Sequence, residues 1–155
     1  MEGNIRALGD GVWQFQSPLW QTNSLLAAAD GTVVLCDPAY TPEEIRLIRA
    51  ASEEKAAKRV HVLVTHADFD HVCGIPYFPE AEVVAGEETA GKVRSGAAAE
   101  GLAKNGPEWN VEWPTNLRVD RVIGPGEFEC GGVRIAAVNA SSHGRDGTAF
   151  VLLDH

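Results

Sequence analysis

His66, Asp68, Asp70 and His71 place two imidazoles and two carboxylates within six positions, in the spacing His-x-Asp-x-Asp-His. Groups of these types packed this closely repel and desolvate one another unless a cation holds them together. The cluster lies in Thr65-His66-Ala67-Asp68-Phe69-Asp70-His71-Val72-Cys73-Gly74, directly after the apolar run 60–64, which reads as a buried strand. A strand feeding such a cluster delivers it to the strand's carboxyl end, where α/β sheets carry their chemistry. The competing reading, a polar loop with chance histidines, is disfavoured by this strand-then-loop context.

The elements that must position the cluster are legible around it. Residues 12–16 have strand character. Residues 23–29 and 32–36 flank Asp30-Gly31, a two-residue hairpin signal. Thr41-Pro42-Glu43-Glu44 combines a capping threonine, a first-turn proline and the glutamate of a capping box, so a helix runs from here to about residue 57. Its apolar side is Ile45, Leu47, Ile48 and Ala51. After the cluster, 82–85 reads as a strand and 87–104 as a helix weakened by Gly91, Gly96 and Gly101. Residues 105–116 form a loop with Trp109 and Trp113. Strands follow at 119–123, 127–130 and 133–138, with Gly131-Gly132 as a hairpin turn. Residues 139–147 are a loop carrying His143, and 148–153 are a last strand.

The bulk properties bound the rest. A length of 155 residues argues for one domain, residues 1–155, with 45% hydrophobic content, enough for an ordinary core. A net charge of −9 opposes attraction to nucleic acid or to an anionic membrane, while metal ions in a cleft would still admit a phosphate substrate. No apolar run is long enough to span a bilayer, and the N-terminus lacks a signal-peptide pattern. Cys36, Cys73 and Cys130 form no Cys-x-x-Cys pair, so a disulfide framework is not expected and a cytoplasmic location is the default.

The strand followed by His66-Ala67-Asp68-Phe69-Asp70-His71, with His143 in a loop far downstream, resembles the metallo-β-lactamase superfamily. Residues 13–37 resemble its opening hairpins, and 138–153 the segment where a loop histidine precedes a strand. The resemblance implies an α/β fold, the αββα sandwich, of which this chain matches the front part. It implies a first metal at His66, Asp68 and His143 and a second at Asp70 and His71. Zinc, as one or two ions, is the implied cofactor. The implied reaction is hydrolysis of an ester, lactone, thioester or phosphoester in a small-molecule substrate by metal-bound hydroxide, with Asp70 as the catalytic residue that orients the water or takes its proton.

Two departures from the family pattern set the alternatives. Asp68 stands where the family more often has His, and a harder anionic ligand shifts preference towards iron or manganese. His66, Asp68 and His143 then have the composition of a two-His-one-carboxylate iron site, which opens an oxidoreductase reading. The family's bridging Asp and last His lie beyond the strand at 148–153, and neither Asp154 nor His155 fits those roles. The chain is therefore expected to be truncated at its C-terminus, or a half-domain needing a partner. A strand there with one open edge invites a homodimer.

Other residues carry weaker signals. Ser141, Ser142 and Arg145 can line the pocket, though ordinary loop roles are favoured. Cys73 reads as a small buried apolar residue and His61 as a packed strand residue. Asp37 reads as structural, fixing the loop after its strand. Trp109 and Trp113 read as surface packing ahead of a substrate-facing role, and Tyr40 is a weak candidate for facing the cleft.

Overall fold

The structure, a computed structural model, describes residues 4–140 and 145–154. Its centre is a seven-stranded sheet in the order β1 (Asn4–Gly9), β2 (Val12–Gln16), β3 (Asn23–Ala29), β4 (Thr32–Cys36), β5 (Arg59–Val64), β6 (Glu82–Gly86) and β7 (Arg121–Ile123). Pairing is antiparallel from β1 to β4 and parallel from β4 to β7. The switch follows from the connections. Tight turns such as Asp30-Gly31 return the chain antiparallel, whereas α1 (Pro42–Glu53) is a crossover that restores the strand direction. A second sheet of β8 (Gly126–Cys130), β9 (Val133–Asn139) and β10 (Thr148–Asp154) is antiparallel, with β9 in the middle.

Strand alternation assigns the two faces of the large sheet. Val62 and Val64 of β5 point with Leu26, Val33, Leu35 and Val83 into the core beneath Ile45 and Ile48 of α1 and Leu102 of α4 (Ala97–Asn105). Leu63 points the other way, with Val34 and Val84, against Cys130, Val133 and Ile135 of the small sheet. The layers are therefore helices, sheet, sheet. Among the described residues no helix covers the far side of the small sheet, so the αββα sandwich is represented by its first three layers.

Thr41 caps α1 as its sequence indicates, its hydroxyl accepting from the Glu44 N–H at 3.3 Å while Glu44 accepts from the Thr41 N–H at 2.9 Å. The helix ends at Glu53, short of residue 57, because Ala56 takes a left-handed conformation to turn into β5. The expected helix over 87–104 is two, α3 (Glu87–Arg94) and α4, broken where Gly96 adopts φ +87°. The strand expected from 119 begins only at Arg121. Strand β1 was not expected. Ile5 and Leu8 are exposed, so little burial marks it as a strand.

Candidate metal centre

The site is built where β4 and β5 end side by side. Asp37 leaves β4 at φ +45°, and its N–H donates to the Leu63 carbonyl at 3.0 Å. Its carboxylate, 3% exposed, accepts from the Thr65 N–H at 2.8 Å and the Thr65 hydroxyl at 2.5 Å. It also lies 2.8 Å from His71 Nδ1. A carboxylate only accepts, so His71 Nδ1 carries the proton. The Thr65 hydroxyl, having donated to Asp37, accepts from His66 Nδ1 at 2.9 Å. One buried carboxylate thus fixes the tautomer of both imidazoles and leaves Nε2 of each ring as the nitrogen able to accept or to coordinate. Asp37 does more than hold a loop.

A short helix, α2 (Phe69–Val72), lies inside the motif, with Asp68 at its N-cap position. It turns the carboxylates back onto the histidines. His66 Nε2 is 3.5 Å from Asp68 Oδ2, and His71 Nε2 is 3.6 Å from Asp70 Oδ2. The two rings stand 4.0 Å apart. Both N···O separations are longer than an ordinary hydrogen bond. The residues therefore face each other as two pairs, His66 with Asp68 and His71 with Asp70. Burial, then the neighbouring His71, hold the His66 pKa below its usual value against the pull of the nearby carboxylates. For His71 burial acts downward too, but the Asp37 hydrogen bond and the charges of Asp37, Asp70 and Asp68 outweigh it and raise the pKa. Two imidazoles with fixed Nδ1 protons and two carboxylates fit zinc, iron or manganese as ligands.

Gly74 lets α2 sit close to the end of β4. A Cβ there would stand 1.7 Å from the Pro38 carbonyl oxygen. The Cys73 side chain is fully buried, its Sγ 3.5 Å from the Tyr40 carbonyl oxygen, in keeping with a packing role.

His143, Ser141 and Ser142 lie outside the described residues. The segments on either side of them are tied to the motif. The Ala140 N–H donates to the Gly147 carbonyl at 2.8 Å, and the Thr148 N–H to the Thr65 carbonyl at 2.8 Å. Asp146, 4% exposed, accepts from the Ala67 N–H at 2.9 Å and from Lys92 Nζ at 2.8 Å. Burial works against its charge, but Lys92 and the Ala67 N–H hold its carboxyl below the usual range. Sequence reasoning missed Asp146, since a single Asp before Gly147 looks like any turn residue. Arg145 is exposed and borders a cleft of about 280 Å³ together with Glu87, Ile123 and Asn139.

One wall near the motif is aromatic. Trp20, 58% exposed, packs its ring 5.7 Å from Tyr40, 5.9 Å from Phe69 and 4.9 Å from Trp109. Tyr40 is fully buried, so it does not face the cleft. Trp113 is 4% exposed and donates Nε1–H to the Tyr40 carbonyl at 3.2 Å, so it is a core residue and not a surface one. Trp20 was not singled out from sequence, because a lone Trp between two strands carries no spacing signal.

The family model for the metallo-beta-lactamase superfamily matches residues 17–147. This chain belongs to the metallo-beta-lactamase superfamily. Membership supports a metal-dependent hydrolase at the level of the family. Among solved structures, a metallo-beta-lactamase from Cronobacter sakazakii is similar at a TM-score of 0.69 and 24% identity, over 94% of this chain and 58% of that one. The FEZ-1 metallo-beta-lactamase of Legionella gormanii is similar at 0.68 and 19% identity, over 97% and 59%. The DIM-1 metallo-beta-lactamase is similar at 0.69 and 13% identity, over 98% and 66%. The chain thus spans less than two thirds of these proteins, and likeness at such identities shows the fold alone. A comparison with curated proteins found no match. The Cronobacter protein is described by a His-Ala-Arg-Leu-Asp-Gln motif, which shares its first, second and fifth residues with His66-Ala67-Asp68-Phe69-Asp70-His71. The third position, Asp68 here, differs between the two.

Proposed function

We propose that this chain carries the metal-binding half-site of a hydrolase acting on an ester, lactone, thioester or phosphoester of a small molecule. The observation that supports it best is the Asp37–Thr65 hydrogen-bond system, which orients His66 and His71 so that each Nε2 meets a carboxylate. His66 and Asp68, with His143, are the proposed ligands of one ion, and Asp70 and His71 those of a second. Support for His143 comes from the ties of Ala140, Asp146 and Thr148, which bring the described ends of its loop beside Thr65 and Ala67.

When bound, the cation acidifies a water and polarises the scissile carbonyl or phosphoryl oxygen. Asp70, only partly exposed, orients the attacking water through a carboxylate oxygen and takes its proton. Asp37 accepts from His71 Nδ1 and keeps that ring from turning. Trp20 and Phe69 offer an apolar surface for the acyl or aryl part of a substrate.

Asp68 favours a second reading, iron-dependent oxidation, because its carboxylate meets His66 in place of a second imidazole. One experiment separates the two. The purified protein is reconstituted with Zn²⁺ or Fe²⁺ and assayed against p-nitrophenyl acetate, an acyl thioester, a lactone and bis-p-nitrophenyl phosphate, with oxygen uptake on a persulfide followed in parallel. Hydrolysis by the zinc form that is abolished in Asp70→Asn upholds the proposal. Full metal occupancy with none of the four bonds cleaved refutes it, and oxygen uptake by the iron form replaces it with the second reading.

A further inference from the structure

The opposite end of β5 holds another group of donors. His61 lies within β5, five residues before His66, which follows the strand's carboxyl end. It shares the face of Leu63, so its ring enters the layer between the two sheets. Its register partner on β6 is Glu82, and His61 Nδ1 lies 2.9 Å from Glu82 Oε2. Cys130 closes β8 from the other sheet, and its side chain is fully buried. One imidazole nitrogen, one carboxylate oxygen and the Cys130 sulfur all lie within 4.8 Å of one another.

The arrangement is held in place. Gly131, next to Cys130, accepts at its carbonyl from the Thr32 hydroxyl at 2.9 Å and from Arg59 Nη2 at 3.2 Å. These bonds dock the β8–β9 turn onto the first residues of β4 and β5. Arg121 donates to the Glu129 carbonyl at 2.9 Å and fixes the approach to Cys130. The hydrogen bonding is nevertheless incomplete. His61 is 8% exposed, and its Nε2 has no hydrogen-bond partner among the described residues. A buried ring nitrogen left unpaired keeps its full desolvation penalty, and such a gap calls for a bound group or a functional use.

We infer that His61, Glu82 and Cys130 form a further metal site, separate from the motif, that takes one borderline divalent cation such as Zn²⁺. A nitrogen, an oxygen and a sulfur are three ligand types zinc accepts, and three protein ligands leave a coordination position for solvent. Glu82, with 39% of its side chain exposed, provides the route in. Binding replaces the sulfur–hydrogen bond of Cys130 with a sulfur–metal bond and releases that proton to water. Burial, opposed by Arg121 and aided by Glu82 and Glu129, raises the thiol to about 11, so in the absence of metal it is protonated and inert. This site does not depend on the proposed hydrolase activity.

The test is metal stoichiometry with Zn²⁺ and Co²⁺ as the probes. The intact chain is titrated beside Cys130→Ser, Glu82→Gln and a His66→Ala/His71→Ala double variant. The inference requires that Cys130→Ser bind one equivalent fewer than the wild type. It also requires that the double variant keep one equivalent whose Co²⁺ form shows a thiolate-to-metal absorption band. Glu82→Gln, at a half-exposed position, should weaken that equivalent at least about tenfold. It carries the test alone if Cys130→Ser fails to fold. Unchanged stoichiometry and affinity in Cys130→Ser and Glu82→Gln, or no thiolate band in the double variant, would overturn it.

Discussion

The two ends of β5 make an instructive pair. At the carboxyl end, His66, Asp68, Asp70 and His71 come from one continuous stretch, and a short helix folds them onto each other. At the amino end, His61, Glu82 and Cys130 come from three strands in two sheets, and only tertiary packing brings them together. The carboxyl end is wetter: Asp68 has half its side chain exposed, and Asp70 and His71 are partly open. At the amino end the Cys130 thiol is buried between the sheets, while Glu82 is partly exposed. A loop at a strand end tolerates dense charge because water and cations reach it. An inter-sheet layer tolerates polar groups only when each finds a partner.

Several experiments sharpen this contrast. The largest effect is expected from Asp70→Asn, which should lower kcat for the responsive ester by about 10²–10⁴-fold, the usual worth of a positioned base. Steady-state kinetics check it, and the Cys130-dependent metal equivalent should be untouched. Gly74→Ala should follow, since its Cβ would overlap the Pro38 carbonyl. Overpacking there should cost about 1–3 kcal/mol of stability, read from urea unfolding, and should loosen metal at the motif first. Asp37→Asn should weaken metal binding at the motif by about 10–100-fold while His61 and Glu82 keep theirs, as calorimetric titration would show.

Two smaller effects concern the supports. Asp146 is ionised more readily in the folded chain than in the unfolded one, so it contributes stability above the ordinary carboxylate pKa. That contribution is lost as pH falls through the depressed folded value. Asp146→Asn should therefore be less stable at neutral pH and lose less on acidification, in parallel urea titrations at neutral and acid pH. Tyr40→Phe should be the mildest change. The buried Tyr40 hydroxyl has no hydrogen-bond partner among the described residues, so its removal should be neutral or stabilising by about 1 kcal/mol. A clear destabilisation would reveal a polar partner in the aromatic wall.

The same contrast explains how much was readable beforehand. The hairpin at Asp30-Gly31, the capping box of Thr41 and Glu44, and the buried strand ahead of His66 were all legible, because each is a local pattern enforced by backbone chemistry. The motif residues were legible for the same reason. The short helix inside the motif was not, because four residues carry no periodicity. Gly96 hid a helix break behind a run of good helix formers. The roles of Asp37 over His71, of Asp146 under Ala67 and of Cys130 against His61 arise from side chains distant in sequence. No pattern within a single segment encodes them.

The most direct measurement is equilibrium binding of Zn²⁺ to the wild-type chain and to the His66→Ala/His71→Ala variant, with folding of both verified by circular dichroism. Loss of every equivalent that the motif holds, with the fold intact, is the result required by ligands locked through Asp37 and Thr65. Identical zinc binding by the two proteins would contradict the account at its root.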